Sequence, residues 1–169
     1  MMRWEQRPIE ISNLLNPAFC AILLHDAIKA YAQKDQRGMN YLLVYLILPL
    51  VLHNQTRRMI PSRANLTLME WVEKQEINTW ILVDHVRQLI PFTKEALIFG
   101  IQQGVVDFSK QENTYSNLLA LSNKRLSNDE SWLQGSTPVD CRNKAKTIGE
   151  WFAEVADATT IYRTFGIRP

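Results

Sequence analysis

Residues 41–52 read Tyr-Leu-Leu-Val-Tyr-Leu-Ile-Leu-Pro-Leu-Val-Leu, a run with no charged side chain and no polar face. A helix that is apolar all round must be buried all round. The run is too short for a bilayer span, which needs ~20 residues, so it is expected at the centre of a packed core. The surrounding stretch, residues 39–53, reads as one helix, with Pro49 kinking or dividing it near its end. Every other element then has to form a layer around it. The chain has 169 residues, 46% of them hydrophobic, which is enough for one such core and fits a single domain over residues 1–169.

The layers follow from local signals. Residues 1–12 read as an extended polar arm. Asn16 followed by Pro17 predicts a helix start, with Asn16 as N-cap and Pro17 in the first turn. Phe19, Ile22, Leu23, Ala27, Ile28 and Tyr31 recur at helical spacing behind it, and Gly38 marks the turn. Residues 54–58 return to polar character, and Pro61-Ser62-Arg63 reads as a loop. Thr67 or Asn65 caps a third helix through Leu68, Met69, Trp71 and Val72. Residues 77–90 form a fourth, with Trp80, Ile81, Val83, Val86, Leu89 and Ile90 among its apolar positions. Pro91-Phe92-Thr93 is expected to break it and to start a fifth helix, capped by Thr93 and ended by Gly104. A β-hairpin pairs residues 105–108 with residues 114–119. The order helix, turn, helix, hairpin over residues 93–121 is that of a winged-helix unit. Residues 122–138 form a polar loop insert. A last helix carries Ala145, Ile148, Trp151, Phe152 and Val155 on one stripe, with Gly149 marking a point of close packing. The fold class expected is mainly α, a compact helical domain with a small β-hairpin.

Catalytic chemistry finds little support. His25-Asp26 and Asp84-His85 have the form of helical metal-ligand pairs, but the chain has only three histidines, His25, His53 and His85. Neighbouring helix positions point about 100° apart, so each pair lacks the further ligands a hydrolase centre needs. Gly-x-Ser-x-Gly, Cys-x-x-Cys and a glycine-rich phosphate loop are all absent from the sequence. Cys20 reads as a core residue. Cys141 stands near Arg142, Lys144 and Lys146, which are expected to lower its thiol pKa slightly. No catalytic residue, cofactor site or metal site is assigned.

Net charge is +2, from 19 Lys plus Arg against 17 Asp plus Glu, so charge alone points to no nucleic-acid partner. Arg57, Arg58 and Arg63 after the apolar helix, and Arg142, Lys144 and Lys146 in the last helix, are the local basic groups that phosphates or an acidic partner would meet. Trp4 in the polar arm and Trp132 in the polar insert stand outside the helical stripes and are candidate partner anchors. Residues 1–8 carry no apolar stretch of signal-peptide form, so the expectation is a cytoplasmic protein with reduced thiols and no membrane contact.

Three segments together carry a family resemblance. They are Asn13-Leu14-Leu15-Asn16-Pro17-Ala18-Phe19, Leu48-Pro49-Leu50-Val51-Leu52-His53 with Thr56 and Arg57, and Ile148-Gly149-Glu150-Trp151-Phe152-Ala153 with Ile161-Tyr162, Phe165-Gly166-Ile167-Arg168-Pro169. The chain resembles the middle component of bacterial three-component ABC-ATPase systems, the group that includes the Lamassu anti-phage operons. The resemblance implies a non-catalytic adaptor between an SMC- or Rad50-like ATPase and an effector, commonly a nuclease. ATP and Mg would then be bound by the ATPase, and DNA would be met through the assembled complex. Within the motifs, Asn16 and Pro17 would start the first helix beside Phe19, and Thr56 and Arg57 would close the apolar helix. Gly149 would allow close approach beside Trp151 and Phe152, and Gly166 and Pro169 belong to the terminal motif. Trp4, Arg57, Arg58, Trp132, Arg163 and Arg168 are the candidate protein contacts. A small winged-helix DNA-binding regulator is the alternative.

Overall fold

The computed structural model describes residues 15–62, 64–75, 79–111, 114–122 and 136–167. The expected arm of residues 1–12, most of the insert, and Trp4, Arg63, Trp132, Arg168 and Pro169 lie outside the described residues.

Helix α1 is Pro17–Lys34. Asn16 Oδ1 accepts from the Ala18 N–H at 2.9 Å, and Pro17 fills the first turn, where its missing N–H costs nothing. Strand β1, Met39–Asn40, follows, then a 3₁₀ turn, Tyr41–Leu43, and helix α2, Val44–Leu52. Residues 39–53 are therefore not one helix. Met39 pairs in the sheet, and Asn40 turns its side chain onto the Leu42 N–H at 3.0 Å, capping the turn that leads into α2. Eight of the nine α2 residues are buried, Pro49 among them. Burying one such side chain yields about 1.5–3 kcal/mol, so the set outweighs the ~3 kcal/mol cost of an interior proline. The helix ends instead at His53, and residues 54–59 continue as a short helix α3, Asn54–Met59.

Helix α4 is Leu68–Gln75. Thr67 caps it reciprocally: Thr67 Oγ1 accepts from the Glu70 N–H, and Glu70 Oε2 accepts from the Thr67 N–H at 2.8 Å. Helix α5 is Thr79–Gln102 and runs unbroken through Pro91. Thr93 does not start a new helix. It is buried in α5, with its hydroxyl donating to the Leu89 carbonyl at 3.0 Å. Pro91 lies on the exposed side of the helix, away from the buried face that holds Thr93. The helix-turn-helix order expected over residues 93–121 is thus absent, because one helix leads directly into the hairpin.

Strands β2, Val106–Gln111, and β3, Thr114–Leu121, pair antiparallel with a bulge between Phe108 and Lys110. Strand β1 adds to the other edge of β3, giving the order β1-β3-β2. Helix α6, Ser136–Val155, starts before Thr137 and Pro138, and α7 is Ala158–Thr164. The fold is mainly helical with a small three-stranded antiparallel sheet. Helix α1 lies against α2, α5, α6 and β3, and α2 lies against α5 and α6, so α1 and α2 form the centre.

Candidate interaction surface

Gly149 lies in α6 where that helix meets α1. A Cβ there would overlap the Ala27 carbonyl oxygen and stand 3.0 Å from Ala27 Cα, so only glycine lets the two helices approach this closely. One turn on, Trp151 stacks against Trp71 with ring centroids 5.0 Å apart. Their indole N–H groups donate to the Leu66 and Met59 carbonyls. Lys144 Nζ donates to the Ile60 carbonyl at 2.6 Å, so the loop between α3 and α4 is held by buried polar groups of α4 and α6. Phe152 is fully buried, and Phe19 packs at the edge of the same core.

Arg57 is turned into the protein. Its guanidinium donates to the Val51 and Leu52 carbonyls at 3.1 and 3.3 Å, closing the open end of α2, and pairs with Asp140 of α6 at 3.3 Å. Thr56 holds His53, its hydroxyl 2.8 Å from Nδ1. The His53 ring lies 4.4 Å from that of His85. Burial, then His85 and Arg57, press the His53 pKa below its ordinary value. Arg58 and Arg163 are exposed. Gly166 ends α7 in a left-handed conformation, with the Ile167 N–H donating to the Tyr162 carbonyl.

The run Arg142, Lys144, Lys146 is not a free basic patch. Arg142 pairs with the buried Asp26 at 2.6 Å, and Lys144 is buried with Asp140 nearby. Asp26 also lies 3.3 Å from His25 Nδ1. Its burial disfavours the charged form, but the hydrogen bonds from His25 and Arg142 win and hold its pKa below the usual value. No group of three or more His, Cys, Asp or Glu with metal-binding geometry occurs among the described residues. Cys141 also departs from expectation. Burial outweighs the Arg57 charge and raises its thiol pKa, and Cys20 is pushed up to about 12.

One apolar groove is a feature that sequence reasoning missed. Trp80, read there as one of the apolar positions of its helix, is 85% exposed. It stands at one end of a groove of about 660 Å³ along α5. Val83, Arg87, Ile90 and Lys94 continue the α5 wall, Tyr41 and Leu42 line the groove from the turn before α2, and Tyr45 lines it from the first turn of α2. Tyr162, Gly166 and Ile167 line it from the end of α7. The Tyr162 hydroxyl donates to the Leu42 carbonyl at 2.7 Å and so ties α7 to that turn. Burial, with Tyr45 and Tyr41 close by, pushes its pKa up to about 12, so it stays a neutral donor. None of the lining residues is acidic. The sequence signal was available: residues 80, 83, 87, 90 and 94 recur at alternating three- and four-residue steps, separately from the inward set Leu82, Ala96 and Leu97, with Val86 at the groove floor.

Taken together, these features define a mainly helical protein whose chemistry is invested in packing and which presents an apolar, cation-edged surface. No helix among the described residues is long and apolar enough to cross a membrane. The family model described as ABC-three component (ABC-3C) system Middle Component 3 matches residues 4–169. The chain belongs to that family, and the motif resemblance stands at this level. No curated protein and no solved structure matches the chain significantly.

Proposed function

We propose that this chain is a non-catalytic adaptor that bridges the ATPase and the effector of its three-component system and relays activation between them. The family match across residues 4–169 carries this reading, since a middle component of such a system works with other components. On this reading the ATPase is of SMC or Rad50 type and binds the ATP and Mg. The effector is a nuclease, DNA is met through the assembled complex, and the system is a cytoplasmic, Lamassu-type defence against phage and plasmids. The chain acts as one folding unit, and Arg58 and Arg163 are contact residues exposed for such a role. The internal bonds of Arg57, Arg142 and Lys144 favour an adaptor over a DNA-binding regulator, because they remove the cations that phosphates would need.

The test is co-expression of the tagged chain with the proteins encoded beside it, followed by purification and mass spectrometry. A stable complex with a coiled-coil ATPase and a nuclease is the expected result. A chain that leaves its neighbours behind and binds DNA alone, with binding weakened by Arg58→Ala, would overturn it.

A further inference from the structure

We infer that the groove along α5 receives an amphipathic helix of a partner subunit that carries two acidic residues seven positions apart. This rests on the adaptor reading and assigns it a surface. The outward α5 stripe Trp80, Val83, Arg87, Ile90 and Lys94 has the spacing of a coiled-coil seam, yet no helix of the described residues covers it. From Trp80 to Lys94 the stripe is about 21 Å long at 1.5 Å per residue, the length of a helix of about 14 residues.

The charges select the occupant. Arg87 and Lys94 are exposed, and neither has a hydrogen bond or ion pair among the described residues. They stand two turns apart, about 10.5 Å, with apolar side chains between and beyond them. A facing helix with Leu, Ile or Met on its seam and Asp or Glu at matching positions pairs both cations and covers Trp80, Val83 and Ile90. A second copy of this chain is a poor occupant, because pairing two α5 seams sets cations against cations and the groove lining itself holds no acid. A nucleic-acid strand needs a continuing row of cations for successive phosphates, and this groove has two in an otherwise aliphatic and tyrosine lining.

The experiment uses the complex purified with its encoded neighbours. A photo-crosslinking phenylalanine analogue replaces Trp80 or Val83, and the linked peptide is identified by mass spectrometry. In parallel, retention of each neighbour is measured for the double variant R87E and K94E, with the double variant K29E and K74E, two exposed cations outside the groove, as a charge-matched control. Both groove cations are exposed and have no bond among the described residues, so the variant is expected to keep the wild-type circular dichroism spectrum. The expected result is a link to one helical segment with two acids seven apart, and at least about a tenfold loss of that subunit in the double variant. Changing the partner's two acids to Lys should restore it. Crosslinks to DNA, to a second copy, or to residues 1–14 or 123–135 of the same chain would overturn the inference. So would undiminished retention of every neighbour by the double variant. In those cases the adaptor reading survives, whereas a wild-type chain that retains no neighbour removes both.

Discussion

Gly149→Ala and Gly100→Ala make the same chemical change in two buried helical sites, and the structure gives them opposite signs. At Gly100 a new Cβ would sit 3.7 Å from Ala21 Cβ and 3.8 Å from the nearest valine methyls, ordinary contact distances. Alanine there should gain about 0.5–1 kcal/mol from helix propensity and lower unfolded-state entropy. At Gly149 the same atom would stand 2.8 Å from the Ala27 carbonyl carbon. The Ala27 carbonyl oxygen lies closer still, so the backbones of α1 and α6 have to shift apart. Overpacking that forces such a shift costs roughly 1–3 kcal/mol, and a clash with backbone atoms stands at the upper end, about 3 kcal/mol. Alanine's propensity gain offsets about 1 kcal/mol, leaving a net loss of about 2 kcal/mol. For a chain of this size, that lowers the melting temperature by ~4–8 °C, while Gly100→Ala raises it by ~1–4 °C. Urea unfolding followed by the fluorescence of buried Trp71 and Trp151 measures both. A Gly149→Ala protein as stable as wild type would refute the close approach of the two helices.

Arg57→Met should cost about 3 kcal/mol in urea unfolding, because the Val51 and Leu52 carbonyls lose their donor and Asp140 its partner. Asp140→Asn should cost less, since that carboxylate is 42% exposed. Asp26 has a folded pKa below the ordinary carboxylate value of 3.8, so its contribution is complete above that value and is lost as the pH falls through the folded value. Asp26→Asn should therefore cost about 3 kcal/mol at pH 7, and the gap to wild type should close only in acid below the unfolded pKa. A gap that stays constant down to pH 2 (about two units below it) would contradict the Arg142 pairing. A disulfide-exchange reagent should find neither Cys20 nor Cys141 in the folded chain and both after unfolding, because both are buried with raised pKa values. Rapid native labelling of Cys141 would show that Arg57 governs that thiol rather than burial.

Features set by neighbours in sequence were legible. Asn16 and Pro17 announce α1, Thr67 is one of the two caps the sequence offers for α4, and the unbroken apolar run announces a buried α2. Each depends on an atom within one helical turn, so local chemistry decides it. Gly149 was legible for a related reason: a glycine in an otherwise strong helical stripe is costly unless something packs against it. Strand β1 was not legible, because two residues become a strand only when β3 arrives from eighty positions away to pair with them. The Cys141 thiol escaped similarly. Its sequence neighbours are cations, but their charges are spent on Asp26, Asp140 and backbone carbonyls, which leaves burial to set its pKa.

Helix α5 holds the remaining misreadings, and they share one origin. A proline at position 91 looks like a boundary when only the helix's own hydrogen bonds are counted. The inward face, from Leu82 through Thr93 to Gly100, packs continuously on α1 and α2, and that packing carries the helix past the missing bond. The same continuity keeps the outer stripe in one line. Had Pro91 divided the helix, Trp80, Val83 and Arg87 would sit on a different element from Lys94, and no four-turn seam would exist. Apolar residues at 80 and 83 then read as core on composition, yet they lie on the side that the inward stripe leaves over. One helix with two apolar stripes has one more than its own fold needs, and the second stripe is the one whose cations find no partner among the described residues.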